Sequence, residues 1–570
     1  MTVYLNANVV TVDGDFSIAE AFAVSDGRFV AVGTNDEVAQ LDGPVVDLGG
    51  RTVLPGFIDA HAHTVHLALD ALAAPNLAGL TSVAAIVERI GAVAATAEPG
   101  AWIVPSSIGA PPDYFGLPEG LAEARWPTRT DLDAVAPDNP VHIPTPPFWP
   151  HPAILNSKAL ELLGITRDTP DQPGIRIERD TSGEPTGVIH GLVFYNARNP
   201  LVGRLFSLLP ATTPAARQDA IATALQRNLA RGITTIYEGH GNSPFVPDLR
   251  ELQAADRLAC RVVGTYEVPV GRVDVADWLT SVADASGDGT GDDHLRIRGV
   301  TVSVDAPMHF GGALMSEPYA DPHGELGNGS SVLSTAELAE LARLAVRSDL
   351  RLNVLATGDA ACEIAVSALE TVHRETPLNS RSWIVQHFHH VTRDQIARLA
   401  AMGIVAQVCA GVDFGRGVAA YVERLPGDQW EHVTPVRWWI DAGVPTALAS
   451  DGAHPPLFHL WAALTRTDGR SGRSLLTPAK AISRAEAIRG WTADAATVLG
   501  VGDRLGSIEP GKLADFVVLD RDILTCPVDE IRDATVVTTV LAGRDPDAHR
   551  VEASVGPCVV GDEGQVDRVG

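Results

Sequence analysis

The feature that most constrains the fold is a regular alternation of short apolar runs with helical patterns through the middle of the chain. Helical patterns occupy residues 334–348 and 392–403, and each begins with a serine or threonine that can cap a helix. Eight apolar runs have the length and composition of buried strands. They span residues 56–63, 232–240, 260–268, 297–305, 350–359, 382–390, 403–411 and 444–452. This alternation predicts an α/β fold built on a (β/α)₈ TIM-like barrel.

Both ends of the chain have a different texture, because residues 1–52 and 505–545 alternate short β-rich runs with turn residues. Neither segment could bury its apolar faces alone. We therefore predict that the two ends form one small composite β-sandwich domain. This division leaves residues 53–504 for the barrel, with a proline-rich insertion around 65–230, and residues 546–570 as a tail.

Composition excludes several classes of partner. The chain has 570 residues and a formal net charge of −28, and such an acidic surface repels nucleic acid and anionic membranes. No run of 18 apolar residues could cross a membrane, and the first residues lack the pattern of a signal peptide. The five cysteines are scattered without a CxxC pair, which argues against a disulfide framework. A cytoplasmic location is expected.

Two histidines end the first predicted strand, in the sequence LPGFIDAHAH. Residues i and i+2 of a strand project from the same face, so His61 and His63 should lie side by side. They fall at the carboxyl end of a barrel strand, where barrel enzymes place their chemistry. Paired imidazoles suit zinc or another divalent transition metal. The alternative is two partly exposed loop histidines, since so short a motif recurs by chance.

Further motifs give this pair a context. The sequence ALASDG at residues 447–452 and GSIEPGKLADFVVLD at residues 506–520 follow it in the order typical of the amidohydrolase superfamily. The stretches ILNSKALELLGITRDTPDQPG and RDTSGEPTGVIHG resemble the branch that contains N-substituted formamide deformylases. The resemblance runs from residue 3 to about 545. It implies a metal-dependent barrel that hydrolyses amide-type C–N bonds of a small-molecule substrate.

The resemblance also implies a ligand set. His61 and His63 match the branch's metal ligands, and Asp451 matches an aspartate that binds metal or takes a proton from the attacking water. His387 matches a histidine of the sixth strand, as a fourth ligand or a neighbouring catalytic group. Gln386 stands before it where the branch usually carries glutamate.

Two departures from the branch pattern lower the expected metal count. Leu355 replaces the histidine that normally ends the fifth strand, and Thr301 replaces the lysine of the fourth strand. Leucine cannot bind metal, and threonine cannot be carboxylated to bridge two ions. One divalent ion, zinc by donor type, is therefore expected. A decayed site that holds no metal is the alternative.

Other polar residues near the predicted strand ends are candidates for substrate contact. His151 and His389 are the candidate substrate-binding residues, although a loop-packing role explains His151 equally well. Glu238 and His240 should face the barrel mouth, but a one-residue slip in register would turn Glu238 away. His309 could replace a lost ligand, although a loop histidine is more often merely solvated.

The residues and the resemblance together predict a metal-dependent amidohydrolase in which Asp451 and His387 are the catalytic residues. Two alternatives stay open: a decarboxylation or hydration on the same metal, and a metal-free binding protein on a degenerate barrel. Metal content separates the enzyme from the binding protein. A homodimer is expected only by analogy with relatives.

Overall fold

We describe the protein from a computed structural model. It describes residues 1–77, 79–108, 120–145, 152–172, 175–193, 199–241, 245–270, 274–286, 292–308, 311–320, 324–411, 424–425, 430, 433–452, 454–468, 472–475, 477 and 480–543.

The strands, in chain order, are β1 (Thr2–Leu5), β2 (Asn8–Val10), β3 (Ile18–Ala19), β4 (Ala21–Ser25), β5 (Arg28–Gly33), β6 (Val45–Asp47), β7 (Thr52–Pro55), β8 (Phe57–Ala62), β9 (His142–Ile143), β10 (Ala153–Leu155), β11 (Arg176–Arg179), β12 (Pro185–His190), β13 (Ile233–Gly241), β14 (Arg261–Glu267), β15 (Leu295–Ser303), β16 (Tyr319–Ala320), β17 (Leu326–Gly327), β18 (Leu352–Ala356), β19 (Ile384–His387), β20 (Val405–Val408), β21 (Thr446–Leu448), β22 (Phe516–Leu519) and β23 (Val536–Val540).

The helices, in chain order, are α1 (Asn35–Val38), α2 (Thr64–Asp70), α3 (Val83–Ala94), α4 (Arg129–Asp133), α5 (Ser157–Leu163), α6 (Pro200–Leu208), α7 (Pro214–Ala230), α8 (Phe245–Ala254), α9 (Val275–Ser286), α10 (Thr335–Arg347), α11 (Asp359–Glu375), α12 (Arg393–Ala401), α13 (Val436–Asp441), α14 (Pro456–Thr465), α15 (Arg484–Gly490) and α16 (Ala493–Leu499).

Eight parallel strands form the central sheet, in the order β21-β20-β19-β18-β15-β14-β13-β8. Each of the eight predicted apolar runs overlaps one of these strands. The two end strands approach each other, because the amide of Asp451, just after β21, donates to the carbonyl of His61 in β8 at 2.9 Å. The predicted (β/α)₈ barrel is confirmed. Its helices include α10 and α12, whose capping boxes begin at Ser334 and Thr392.

Strand β19 is shorter than the sequence predicts. The apolar run covers residues 382–390, but the strand ends at His387. The reason lies in the backbone, since His387 and Phe388 have φ values of 67° and 46°. Residues in this left-handed region cannot continue a strand. The polar residues that follow therefore leave the barrel wall and turn across its carboxyl end.

The two chain ends meet in one sheet. Its order is β23-β22-β7-β2-β3, and β22 pairs antiparallel with β7, with Val517 opposite Leu54. Aromatic rings from both ends pack beside it: the centroid of Phe22 lies 5.0 Å from that of Phe516 and 4.7 Å from that of Tyr4. A second sheet, β5-β4-β1-β6, uses the N-terminal segment alone. Apolar area from residues distant in sequence is thereby removed from water together.

A buried ion pair joins this sheet to the barrel. Arg261, at the start of β14, donates through Nε to Asp515 Oδ2 at 2.7 Å, and both side chains are 3% exposed. The other oxygen of Asp515 also accepts the amide of Ala542 at 2.8 Å. A buried carboxylate is tolerated here because each oxygen has donors.

The segment between β8 and β13 contains a small antiparallel sheet of its own. Its order is β11-β12-β10-β9, and α5 packs against β10. Asn156 caps α5 by accepting the amide of Ala159 at 3.0 Å. The chain returns to the barrel through α7, which contacts both α2 and β13. In the described part of the chain, no helix is long and apolar enough to span a membrane.

Candidate metal centre and active site

The first strand of the barrel supplies two neighbouring imidazoles. His61 and His63 are 0% and 3% exposed, and their Nε2 atoms lie 3.2 Å apart. Residues around them pair with β13 with a register shift, since Ile236 lies opposite Asp59 but Glu238 lies opposite Ala62. The predicted side-by-side placement at the carboxyl end of the strand is present in the structure.

Asp451 faces these two histidines from the last strand. Its Oδ1 lies 2.9 Å from His63 Nε2 and 3.5 Å from His61 Nε2. The residue has a φ of 54°, so the chain turns sharply directly after β21. The Asp451 amide is held by the His61 carbonyl, as described above. This backbone contact fixes the carboxylate against the paired histidines.

His387 approaches from the sixth strand. Its ring centroid lies 4.8 Å from that of His61. Candidate ligand atoms of His61, His387 and Asp451 all lie within 4.8 Å of one another. On the opposite side, His387 Nδ1 lies 3.2 Å from His389 Nε2. His389, the predicted substrate contact, therefore touches a candidate ligand.

His240 joins the group from the second strand. Its ring stacks on His63 with centroids 5.1 Å apart and an interplanar angle of 12°. Candidate ligand atoms of His61, His63 and His240 again lie within 4.8 Å of one another. On its other side, His240 Nδ1 lies 3.7 Å from Glu267 Oε1. Sequence reasoning placed His240 at the mouth but not in the ligand set.

Glu238 is also at the barrel mouth, beside the helix that follows the first strand. Its Oε2 accepts the amide of Val65 at 3.1 Å, and its Oε1 lies 3.7 Å from His66 Nδ1. Ligand atoms of Glu238, His66 and His63 form a third group within 4.8 Å. Glu238 and His240 are two residues apart in β13, and both reach the site, since residues i and i+2 of a strand share a face.

Asp59 and Ser450 support the centre from behind. Asp59 Oδ1 accepts the amides of His61 at 3.3 Å and Ser450 at 3.0 Å. Ser450 Oγ donates to Asp59 Oδ2 and accepts the amide of Gly452 at 2.7 Å. Burial raises the pKa of Asp59 to about 7. These contacts tie the first and last strands together where His61 and Asp451 begin to project.

Burial also sets the charge of the imidazoles. It lowers the pKa of His61 well below 6.5, and the nearby His387 and His63 lower it further. Burial likewise lowers the pKa of His63, against the opposing effect of Asp451. For His240, burial is outweighed by the hydrogen bond and charge of Glu267, which raise its pKa. Neutral His61 and His63 retain lone pairs for a cation.

The two substituted ligand positions lie in the barrel wall and carry no metal donors. Leu355 is 7% exposed and Thr301 is fully buried. Thr301 Oγ1 lies 2.7 Å from Thr265 Oγ1 and 3.2 Å from the hydroxyl of Tyr237. A network of hydroxyl groups therefore occupies the position of the branch lysine.

Two predicted candidates, His151 and His309, lie outside the described residues. Of the five cysteines, Cys260, Cys362 and Cys409 are buried and Cys526 is partly buried, all with free thiols. No pair of these four is bridged.

The donors present fit a divalent metal. Buried imidazole nitrogens from three strands and one carboxylate form two overlapping groups that share His61, namely His61, His63 and His240, and His61, His387 and Asp451. The ligand atoms within each group lie within 4.8 Å of one another. The Nδ1 atom of His61 is buried without a hydrogen-bond partner among the described residues. Such a cluster of nitrogen donors around one carboxylate suits zinc-like ions better than calcium or magnesium. The group could hold one metal ion.

Comparison with solved structures defines the class of fold. A metal-dependent hydrolase of uncharacterised function from Pyrococcus horikoshii superposes with a TM-score of 0.72 at 23% identity, covering 93% of this chain and 99% of the other. It shares the barrel fold with this protein. The comparison places this chain in the class of (β/α)₈-barrel proteins.

Sequence comparison gives the family. The model of the amidohydrolase family matches residues 44–544. An N-substituted formamide deformylase from Arthrobacter pascens is 31% identical over 95% of this chain and 97% of its own. Protein LONG AFTER FAR-RED 3 from Arabidopsis thaliana is 25% identical over 91% of this chain and 86% of its own. This chain belongs to the amidohydrolase family and is a hydrolase of carbon–nitrogen bonds other than peptide bonds. The predicted family is confirmed.

Proposed function

We propose that this protein hydrolyses an amide-type C–N bond of a small molecule with the help of one zinc ion. The observation that carries the proposal is the position of Asp451 between two sets of histidines at the carboxyl end of the barrel. Its Oδ1 lies 2.9 Å from His63 Nε2 and 3.5 Å from His61 Nε2, and candidate ligand atoms of His61, His387 and Asp451 lie within 4.8 Å of one another. His240 is added to this set as a ligand or as a group packed on His63. When bound there, the ion lowers the pKa of a coordinated water and polarises the substrate carbonyl.

Asp451 is placed to move the protons. Its carboxylate accepts a proton from the attacking water and then delivers that proton to the leaving nitrogen. The backbone contact between Asp451 and His61 keeps the carboxylate in place for both transfers. His389 holds the His387 ring through Nδ1. This leaves His387 Nε2 either to bind the ion or to contact the carbonyl oxygen of the substrate.

The substrate class follows from the relative in Arthrobacter pascens, which is named for N-substituted formamides. We propose these compounds as the first substrates to test. The products would be formate and a primary amine, so both can be measured independently. A panel of larger amides and cyclic amides covers the wider family chemistry.

The test measures amine and formate release by zinc-loaded protein, with Asp451→Asn as the inactive variant. Asp503→Asn is the matched control, because Asp503 is an exposed carboxylate far along the chain from the cluster, 3.7 Å from Arg504 Nε. Activity in the wild type and control, but not in Asp451→Asn, supports the proposal. Release of carbon dioxide, or addition of water without cleavage, would instead indicate the non-hydrolytic alternative. Protein purified without chelators yet free of metal would favour a binding protein.

The homodimer expected by analogy stays a prediction, and light scattering on the purified chain would test it. The cytoplasmic location also stays a prediction, which fractionation of cells would test.

A further inference from the structure

A cavity of 610 Å³ lies beside the candidate metal centre. Its walls are α2, α7 and the residues around Ser106, and its floor includes Asp59 and Ser450. It is therefore next to the pair that supports the first and last strands, while His61, His63, His387 and Asp451 do not line it. Its volume is within the usual range for small-molecule sites.

One wall of the cavity carries two positive charges. Arg227 and Arg231 are one helical turn apart near the end of α7, and both line the cavity. Both residues are exposed to solvent at this wall. No carboxylate among the described residues forms an ion pair with either guanidinium group. Two like charges held together without a counterion favour binding of an anion.

Another lining residue of the cavity, Ser107, offers a hydroxyl group. Ser107 is 1% exposed, and its Oγ is buried without a hydrogen-bond partner among the described residues. Its neighbour differs, since Ser106 Oγ accepts the amide of Leu77 at 2.9 Å. A buried hydroxyl without a partner is costly unless something binds it. Ser107 thus provides a second, independent polar contact for a ligand.

The remaining surface of the cavity restricts the ligand further. Much of it is apolar, from Leu67, Ala68, Leu72, Ala220, Ala224 and Ile233. Three carboxyl groups, those of Asp59, Asp70 and Asp219, also line it. They would repel a multiply charged anion more strongly than a singly charged one. The ligand should therefore carry one negative charge and an apolar body.

We propose that this cavity binds a small organic monocarboxylate, with its carboxylate on Arg227 and Arg231, a hydrogen bond from Ser107, and its apolar part against the α2 and α7 side chains. Paired guanidinium groups match the two oxygens of a carboxylate. The binding does not depend on turnover, so the proposal stands apart from the proposed hydrolysis.

The experiment is calorimetric titration of the zinc-loaded protein with benzoate, and separately with inorganic phosphate. We expect benzoate to bind more tightly than phosphate. Arg227→Gln and Arg231→Gln should each weaken benzoate binding about tenfold or more, because each removes a charge-assisted hydrogen bond. Ser107→Ala should weaken it less, because a neutral hydrogen bond is lost.

Arg51→Gln is the matched control, because Arg51 is an exposed arginine between β6 and β7, outside the cavity. It should leave benzoate binding unchanged, and melting curves should show that all variants fold. Benzoate that binds the metal instead would be insensitive to both cavity arginines, and that result would overturn the proposal. Tighter binding of phosphate than of benzoate, or no binding of benzoate, would also overturn it.

Discussion

Replacement of Asp451 by asparagine tests the centre most directly. The change keeps the shape of the side chain but removes the negative charge that lies 2.9 Å from His63 Nε2. A positioned general base contributes about 10²–10⁴-fold to the rate. We therefore expect kcat/KM to fall at least about 100-fold, which corresponds to about 3 kcal/mol of transition-state stabilisation.

A double-mutant cycle with His61→Ala gives the magnitude a sharper meaning. If the two residues acted independently, two losses of about 100-fold would multiply to about 10⁴-fold. They bind and orient one ion, however, so we expect the kcat/KM of the double variant to be within about threefold of that of the less active single variant. The close approach of Asp451 Oδ1 to His61 Nε2, at 3.5 Å, is the structural reason.

The assay is steady-state amine release, with metal content by elemental analysis and folding by circular dichroism on the same samples. The fold should survive in both single variants, because the apolar residues that hold the barrel together lie below its active face. Full activity in His61→Ala would refute the metal mechanism. Strictly multiplicative losses would refute the claim that one ion joins the two residues.

Four further predictions follow from other parts of the molecule. Elemental analysis should find about one tightly bound divalent ion per chain, because Leu355 and Thr301 supply no donors; two ions would mean that Glu238 or another residue substitutes. Deleting residues 505–570 should give insoluble protein, since β7 loses its partner β22; a soluble, active truncation would contradict this. Leu355→His should raise the affinity for zinc or recruit a second ion, as measured by titration with zinc. If the variant instead binds no more metal and is less active on the substrate, Leu355 shapes an apolar pocket. Burial lowers the pKa of His142 from 6.5 to about 4, so folding favours the neutral imidazole. Acidification from pH 6.5 to 4 should therefore lower the free energy of unfolding by up to about 3 kcal/mol through this residue. Urea unfolding should show this loss in the wild type but not in His142→Leu.

Much of the fold was predictable because local patterns encode it. Buried parallel strands require apolar runs of a narrow length range, and the eight runs therefore identify the eight barrel strands. The strand ends were less predictable, as β19 shows. Its end depends on positive φ values at His387 and Phe388, and neither residue is a glycine that would signal such a turn.

The candidate site divides in the same way. The sequence alone determined that His61 and His63 project together, because strand periodicity fixes the direction of neighbouring side chains. Only the tertiary structure decided that His240 stacks on His63, since the two residues come from different strands and strand periodicity says nothing about contacts between them. The support of Asp59 by Ser450, 391 residues away in the chain, likewise exists only after the barrel closes. The cavity with Arg227, Arg231 and Ser107 likewise exists only in the tertiary structure. The space between α2 and α7 depends on how the two helices pack, and the sequence of neither helix shows it.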